Sequence, residues 1–249
     1  FLPAKQKIVL ELKRKGISVF FPAYNDGGTI GSLVLMALRT LRQVSNDFEV
    51  VIVNDGSTDY TAQVLEELTR QYAQVRVIDH QGNRGYGAAL ITGFNNCSKE
   101  LIFYTDGDGQ YDVSEMPLLL SEMDESIDWV NGYKILRSDP LHRKIIGRIY
   151  HWIARIAFGL KLRDVDCDFR LMRRAIFDKV HLVSQSGVIC VEMMKKFQDA
   201  GFRLKEVPVH HYFRAYGKSQ FFNFPRIFRV GINLVQLWWS LVIRRRHLQ

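Results

Sequence analysis

The stretch LIFYTDGDGQYD, Leu101 to Asp112, decides how the chain is read. Its first four residues are apolar or aromatic and read as a short buried strand. Asp106, Asp108 and Asp112 then crowd together with Gly107 and Gly109 between them. Like charges held close repel, so a strand that ends this way implies a positive charge for the carboxylates to meet. Two carboxylates one residue apart on a turn suit a hard divalent cation, Mg²⁺ or Mn²⁺, which takes oxygen ligands and is completed by substrate phosphates. The ordinary alternative is an Asp-rich turn. The preceding strand and the acidic clusters elsewhere favour the metal.

Outward from this stretch, ISVFFP (17–22), FEVVIVND (48–55) and VRVID (75–79) read as further strands. The segments 29–43, 58–72 and 86–97 have helical period and length. Strand–helix alternation predicts an α/β fold with a largely parallel sheet covered on both faces. Such sheets gather ligands at the carboxyl ends of their strands. Three polar clusters fall there: Pro22–Asp26, Asn54–Asp59 and Asp106–Asp108. No repeat or low-complexity linker interrupts the chain, so a single compact domain is expected.

Two of these clusters leave alternatives open. VNDGSTD (53–59) is either a turn, with Gly56 supplying backbone freedom and Ser57 or Thr58 capping the helix, or a site. In the second case Asp55, at a strand end, accepts hydrogen bonds from a base or ribose. NRGYGAA (83–89) is either a tight turn or a backbone that a nucleotide approaches closely at Gly85 and Gly87. The fuller dinucleotide fingerprint is not matched, which argues against a nicotinamide enzyme.

The 249 residues are 47% hydrophobic and 24% charged, an ordinary globular balance. A net charge of +8 favours polyanions, anionic lipid or phosphorylated substrates. Cys97, Cys167 and Cys190 stand far apart, forming neither a metal-ligand pair nor a disulfide framework, so a reducing compartment is expected. The chain begins at Phe1 without a methionine or signal peptide, and a missing N-terminal piece is the expectation. A basic nucleic-acid-binding module would leave Asp55, Asp106 and Asp108 idle, and is disfavoured.

PAYND (22–26), VNDGSTD, GNRGYGAA (82–89), DGDGQ (106–110) and FRAYGKSQ (213–220), in that order, resemble the family 2 glycosyltransferases of the GT-A fold. Within that family the likeness is to polyprenyl-phosphate sugar synthases of the dolichyl-phosphate mannose or glucose type. The resemblance, which covers about residues 17–220, implies a Rossmann-like GT-A catalytic domain over residues 1–220; the remaining 221–249 are expected from their own pattern to form an amphipathic helix. The resemblance also implies inverting transfer of a hexose from GDP-mannose or UDP-glucose to dolichyl or undecaprenyl phosphate. By position, Pro22, Tyr24, Asp26, Asp55, Gly85 and Gly107 would attend the donor nucleotide. Asp106, Asp108 and Gln110 would hold the metal. Lys134 and Arg143 would meet the acceptor phosphate, and Arg214 and Lys218 lie in a segment that closes over the donor.

Two departures stand out. Gln220 replaces the family's lysine, with Lys218 two places earlier, and Asp168 in DVDCDF stands where such relatives commonly have glycine. A carboxylate at 168, or Asp164, could serve as base toward a hydroxyl of a cell-wall glycan or other saccharide, the alternative acceptor. A phosphate acceptor needs no strong base. It needs cations that hold two anions together.

Two later segments suggest a membrane surface. In LHRKIIGRIYHWIARIAFGL (141–160), Lys144, Arg148, His151 and Arg155 mark a basic face, with Ile145, Ile149, Trp152 and Ile156 beside it. Core packing is the favoured reading of that apolar face, a lipid interface the other. Between Pro225 and Arg246, a polar stripe of Arg226, Arg229, Asn233, Gln236, Ser240 and Arg244 runs beside Trp238, Trp239 and many aliphatics. The uncharged run from Val230 to Ile243 is shorter than the roughly 18 residues of a span. The expectation is a helix lying at the cytoplasmic face of the membrane, with self-association into a homo-oligomer as the alternative.

Overall fold

The computed structural model describes residues 15–135, 141–214, 216 and 224–248, with the backbone alone at 141–148, 150 and 224–227. Its first half alternates as the sequence predicts: β1 (Ile17–Ala23), α1 (Ile30–Val44), β2 (Phe48–Asn54), α2 (Thr61–Gln71), β3 (Val75–Asp79), α3 (Tyr86–Asn96) and β4 (Leu101–Thr105). The second half adds α4 (Met116–Leu120), β5 (Trp129–Ile135), α5 (Leu141–Phe158), β6 (Phe169–Arg173), α6 (Ile189–Asp199), β7 (Leu204–His210) and α7 (Phe224–Trp238).

Seven strands form one sheet in the order β3-β2-β1-β4-β6-β5-β7. Pairing is parallel throughout except at β6, which runs antiparallel to both β4 and β5. The exception matters. The other strands bring their carboxyl ends to one rim, and the reversed β6 brings its start there. The loop before it, Asp164 to Asp168, therefore joins the rim that already carries Asp55 and Asp106. Connections turn one way from β1 to β2 and the other way to β4. The gap between Ala23 and Asp106 is thus the topological switch point at which open sheets bind ligands.

Alternating strand residues feed two cores. Val19, Phe21, Val50, Ile52 and Phe103 meet Ile30, Leu33, Val34, Ala37, Leu38 and Leu41 of α1 together with Leu65 and Leu68 of α2. The spacing of those helix residues, three or four apart, is what turns one face of each helix to the sheet. Phe20, Val51, Val53, Ile102, Tyr104 and Met172 on the opposite side meet α3, α5, α6 and Leu237 and Leu241 near the C-terminus.

The amphipathic segments pack differently from the favoured sequence reading. On α5 the core takes Ala154 and Phe158, while Ile149, Trp152, Ile153 and Ile156 are exposed. The face expected to cover the core faces outward. The backbone of α7 continues through a π-turn to Ile243 and divides into three sectors. Leu237 and Leu241 are buried, Trp238 Nε1 donates to Ala157 O at 2.9 Å, and Asn233 Nδ2 donates to Ser186 Oγ at 3.1 Å. Phe228, Ile232, Val235, Trp239 and Ile243 form an exposed apolar stripe. Arg229 and Gln236 lie exposed between these sectors. Among the described residues no helix is long and apolar enough to cross a membrane.

Gly93 of α3 rests directly on the Phe20 ring, and a Cβ there would run into Phe20 Cε2 and Cζ. That ring is itself wedged against Phe94 and Tyr104, with centroids 5.5 and 5.9 Å away. Gly93→Ala must push α3 off β1. We expect a loss of about 1–3 kcal/mol, the range for overpacking a filled core, read as a lower urea midpoint with an unchanged slope.

Candidate active site

The rim cluster begins with Asn54-Asp55-Gly56. Gly56 adopts φ +68°, and a Cβ would strike the backbone of Gly82 and Asn83. The turn residue is therefore also a contact that lets segment 82–87 close over β2. Asp55, 3% exposed, holds that segment. It accepts the backbone N–H groups of Arg84 and Gly85, each at 2.9 Å, and pairs with His80 Nδ1 at 2.6 Å. Thr92 meets the other imidazole nitrogen at 3.0 Å. Ser57 and Thr58 do not cap α2 as the sequence suggests. Asp59 accepts the Thr61 N–H at 3.0 Å, whereas Ser57 Oγ accepts the Asn25 N–H at 3.0 Å and ties the β1 and β2 loops together.

A cavity of about 140 Å³ at the switch point is lined by Pro22, Tyr24, Asp26, Asp55, Asn83, Tyr86, Asp106, Gly107, Asp108 and Arg214. The structure thus brings together nearly all residues expected to attend the donor. Gly85 stands just behind, engaged with Asp55. Lys218 and the Arg143 side chain lie outside the described residues. Gln110 lies at the rim, its N–H on Asp108 Oδ1 at 3.0 Å and its Nε2 on Tyr212 O at 3.2 Å.

The cavity is strongly acidic. Burial pushes the Asp26 carboxyl up to about 6, partly offset by the Tyr24 N–H that it accepts at 3.0 Å. Burial, then Asp168 and Asp108, hold Asp106 well above the usual carboxylate range. Asp108 is raised by burial against the opposing pull of Arg214, which is ion-paired to it. Asp168 meets Arg170 Nη1 at 3.1 Å. Two guanidiniums therefore face four carboxylates among these residues. The crowded carboxyl groups, the all-oxygen donor set and the position at a strand end fit a divalent cation at Asp106 and Asp108.

Sequence reasoning missed the buried residues behind the acids. Tyr86 OH donates to Asp106 Oδ1 at 2.7 Å and touches Tyr104 OH. Tyr104 OH donates to Asp168 Oδ1 at 2.8 Å. Burial pushes both phenols well above their usual range, so both stay protonated. Arg170 is fully buried, its Nε on Asn131 Oδ1 at 2.9 Å and its Nη2 on Val165 O at 2.8 Å. The signal available in the sequence was an arginine between Phe169 and Leu171, inside an apolar strand.

Among the described residues, His151, Asp164 and Asp166 also bring ligand-type atoms within 4.8 Å of one another. Lys134 already answers this cluster, with Nζ 3.8 Å from Asp164 Oδ1 and donating to Asp166 O at 2.6 Å. Val165 N–H donates to His151 Nδ1 at 3.4 Å.

The family model described as Glycosyl transferase family 2 matches residues 18–181, and the chain belongs to that family. It is 29% identical over 223 residues to the undecaprenyl-phosphate 4-deoxy-4-formamido-L-arabinose transferase of Salmonella choleraesuis (strain SC-B67), covering 89% of this chain and 67% of that one. The transferase of the same name from Salmonella newport (strain SL254) matches to the same extent, 29% over 223 residues. Among solved structures, glucosyl-3-phosphoglycerate synthase from Mycobacterium tuberculosis, in complex with Mn²⁺, UDP-glucose and phosphoglyceric acid, superposes with a TM-score of 0.70. That likeness covers 96% of this chain and 85% of the other at 16% identity, and it establishes the fold. The sheet and its two helical layers are the GT-A fold, as the sequence resemblance implied.

Asp55→Ala would leave the Arg84 and Gly85 N–H groups and His80 without their acceptor. Each buried group so stranded costs about 1–3 kcal/mol. We expect faster amide hydrogen exchange across residues 82–87 together with a lower melting temperature, whereas Asp55→Asn, which keeps one acceptor oxygen, should lose less of both.

Proposed function

We propose that the chain moves a sugar, with inversion, from a nucleoside-diphosphate sugar to a polyprenyl phosphate at a membrane surface. One observation carries this reading: both carboxylates that could serve as base toward a hydroxyl acceptor are already committed. Asp168 is ion-paired to buried Arg170 and accepts from Tyr104 and from Cys190 Sγ at 3.4 Å. Asp164 accepts the N–H groups of Lys134 at 3.2 Å and Asp166 at 3.1 Å, with the Lys134 amine beside it. A general base must stand free to take a proton from its substrate, and both carboxylates already have partners within the protein. A phosphate acceptor arrives as an anion and needs no base. Its oxygen forms the new bond to the anomeric carbon as the bond to the diphosphate breaks, and that electron pair leaves with the diphosphate. The Salmonella relatives, whose name specifies undecaprenyl phosphate, support the same acceptor class.

In this reading Asp106, Asp108 and Gln110 hold Mg²⁺ or Mn²⁺, which supplies charge stabilisation for the departing diphosphate. Pro22, Tyr24, Asp26, Asp55, Gly85 and Gly107 shape the donor pocket. Arg214 and Lys218 serve the diphosphate, and Lys134 and Arg143 the acceptor phosphate. The donor carries guanosine or uridine, with mannose or glucose as the expected hexose.

The membrane part of the reading rests on the two exposed stripes, Ile149, Trp152, Ile153 and Ile156 on α5 and Phe228, Ile232, Val235, Trp239 and Ile243 on α7. Trp238 of α7 bonds to α5, so the stripes belong to adjoining helices. Exposed Arg155, Arg229, Arg244, Arg245 and Arg246 accompany them. Apolar stripes with tryptophan and flanking arginine suit the interface of an anionic bilayer.

Transfer should require Mn²⁺ or Mg²⁺ and be stimulated by polyprenyl phosphate but not by free sugars. Asp108→Ala should lower it by about 10²-fold or more, in line with loss of a principal charge-stabilising element. Activity that persists in chelator, or a preference for a saccharide hydroxyl, would overturn the reading.

Membrane docking predicts that the chain floats with liposomes containing anionic lipid and less with neutral ones. Because Leu237 and Leu241 are buried, removing α7 would open the core, so the test uses surface substitutions. Val235→Ser with Trp239→Ser should abolish flotation while the melting temperature holds. Unchanged flotation with loss of a dimer in sedimentation would assign the stripe to self-association instead.

A further inference from the structure

Two buried hydrogen-bonded groups, Arg170–Asp168–Tyr104 and Tyr86–Asp106, meet where the two phenol oxygens touch. Each link has a local cause. Arg170 faces Tyr104 across the β4–β6 pair and Asn131 across the β5–β6 pair, so the antiparallel register alone sets the three side by side. Its guanidinium carbon lies 5.6 Å from the centre of the Tyr104 ring. With Nε on Asn131, Nη2 on Val165 O and Nη1 on Asp168, the guanidinium is anchored in three directions. Asp168 is thereby held in place to receive Tyr104 OH. The Tyr104 ring is pinned between Phe20 and Phe94, at 5.9 and 5.6 Å.

Tyr86 is fixed from its own side. It is the first residue of α3, flanked by Gly85 and Gly87, and side chains at both glycines are excluded by the loop 184–185. Gly87 N–H donates to Gln185 O at 3.0 Å. That loop is held in turn by buried Glu192, which accepts the N–H groups of Val183 and Ser184 at 3.0 and 2.8 Å. The phenol of Tyr86 therefore has a narrow range of placements, and its hydroxyl reaches Asp106 Oδ1 at 2.7 Å.

We propose that Tyr86, backed by Tyr104, Asp168 and Arg170, is a positioning residue that fixes the Asp106 carboxylate for its divalent ion. This rests on the metal reading of Asp106 and Asp108. A metal-binding carboxylate is held by hydrogen bonds beyond the metal, and losing one such partner typically costs 10–100-fold in metal affinity or activity. By donating to Oδ1, Tyr86 restricts the torsion of the carboxylate that would hold the ion. The neutral phenol does this without adding charge to the acidic cavity.

The test is a titration of the full chain with Mn²⁺ alone, following the electron paramagnetic resonance signal of the free ion. Tyr86→Phe removes one hydroxyl and no charge, so a merely electrostatic or bulk effect is absent. Expected are a roughly tenfold weaker Mn²⁺ Kd for Tyr86→Phe, a smaller loss for Tyr104→Phe, and near-complete loss for Asp106→Asn. Melting temperatures measured without metal separate positioning from unfolding. If Tyr86→Phe fails to fold, Tyr104→Phe, which removes the oxygen that Tyr86 OH rests against, carries the test: weaker Mn²⁺ binding supports the role and unchanged affinity overturns it. Loss of Mn²⁺ in Asp106→Asn with affinity unchanged in both tyrosine variants would overturn the positioning role alone. Unchanged affinity in Asp106→Asn would overturn the metal reading and this role with it.

Discussion

The arrangement turns on a surplus of negative charge at one edge of a sheet. Asp26, Asp106, Asp108 and Asp168 converge where β1 and β4 end and β6 begins, and burial raises the carboxyl groups of the first three. Isolated buried charges are costly unless paired. Much of the surrounding structure answers that cost. Arg170 lies fully buried in the sheet beside Asp168, Arg214 reaches in from beyond β7 to Asp108, and the Tyr24 and Gln110 N–H groups point at Asp26 and Asp108. The balance left over is what a divalent cation is suited to meet.

Reversal of a single strand makes the surplus possible. Had β6 run parallel to β4, its start would lie at the opposite edge of the sheet, and the Asp164–Asp168 loop with it. Antiparallel pairing, Tyr104 to Arg170 and Thr105 to Phe169, brings Asp168 within 2.8 Å of the Tyr104 hydroxyl. The same reversal puts Asp164 and Asp166 beside Lys134 on β5. Two otherwise similar acidic groups thereby receive different cations, one guanidinium locked in the sheet and one amine at the rim. Both acidic groups already have hydrogen-bond partners within the protein.

How much of this the sequence disclosed follows from how local each feature is. The strands and helices of the first half were legible because each is a contiguous run with one period, and connections between them are short. Asp26, Asp55, Asp106 and Asp108 were legible because they punctuate those runs at strand ends. Tyr104 was not. Within LIFYT it reads as one more apolar strand residue, and its hydroxyl acquires a role only through Asp168, 64 positions later. Arg170 and His80 escaped for the same reason. The work of Asp55 was half legible: its place at the rim was predictable, but its three donors lie 25 to 30 residues downstream and were not. For α5, period alone distinguished an apolar face without saying where it points. Ala154 and Phe158 are buried in the core, while Ile149, Trp152 and Ile156 lie outside.

The loop 181–188 joins what the sequence kept apart. Glu192 and Lys196 of α6 form a buried pair, and each also holds this loop, Glu192 through the Val183 and Ser184 N–H groups and Lys196 through His181 O at 2.6 Å. On one side the loop walls in Gly85 and Gly87, and so sets where α3 and Tyr86 begin. On the other its Ser186 receives Asn233 of α7. A buried ion pair is weak grounds for net stability, because desolvation offsets much of its attraction. Here its consequence is geometric: two charged side chains that cannot leave the interior fix a loop lacking regular structure of its own. The loop thus touches both the start of α3, whose Tyr86 lines the acidic cavity, and α7, whose outer face is apolar.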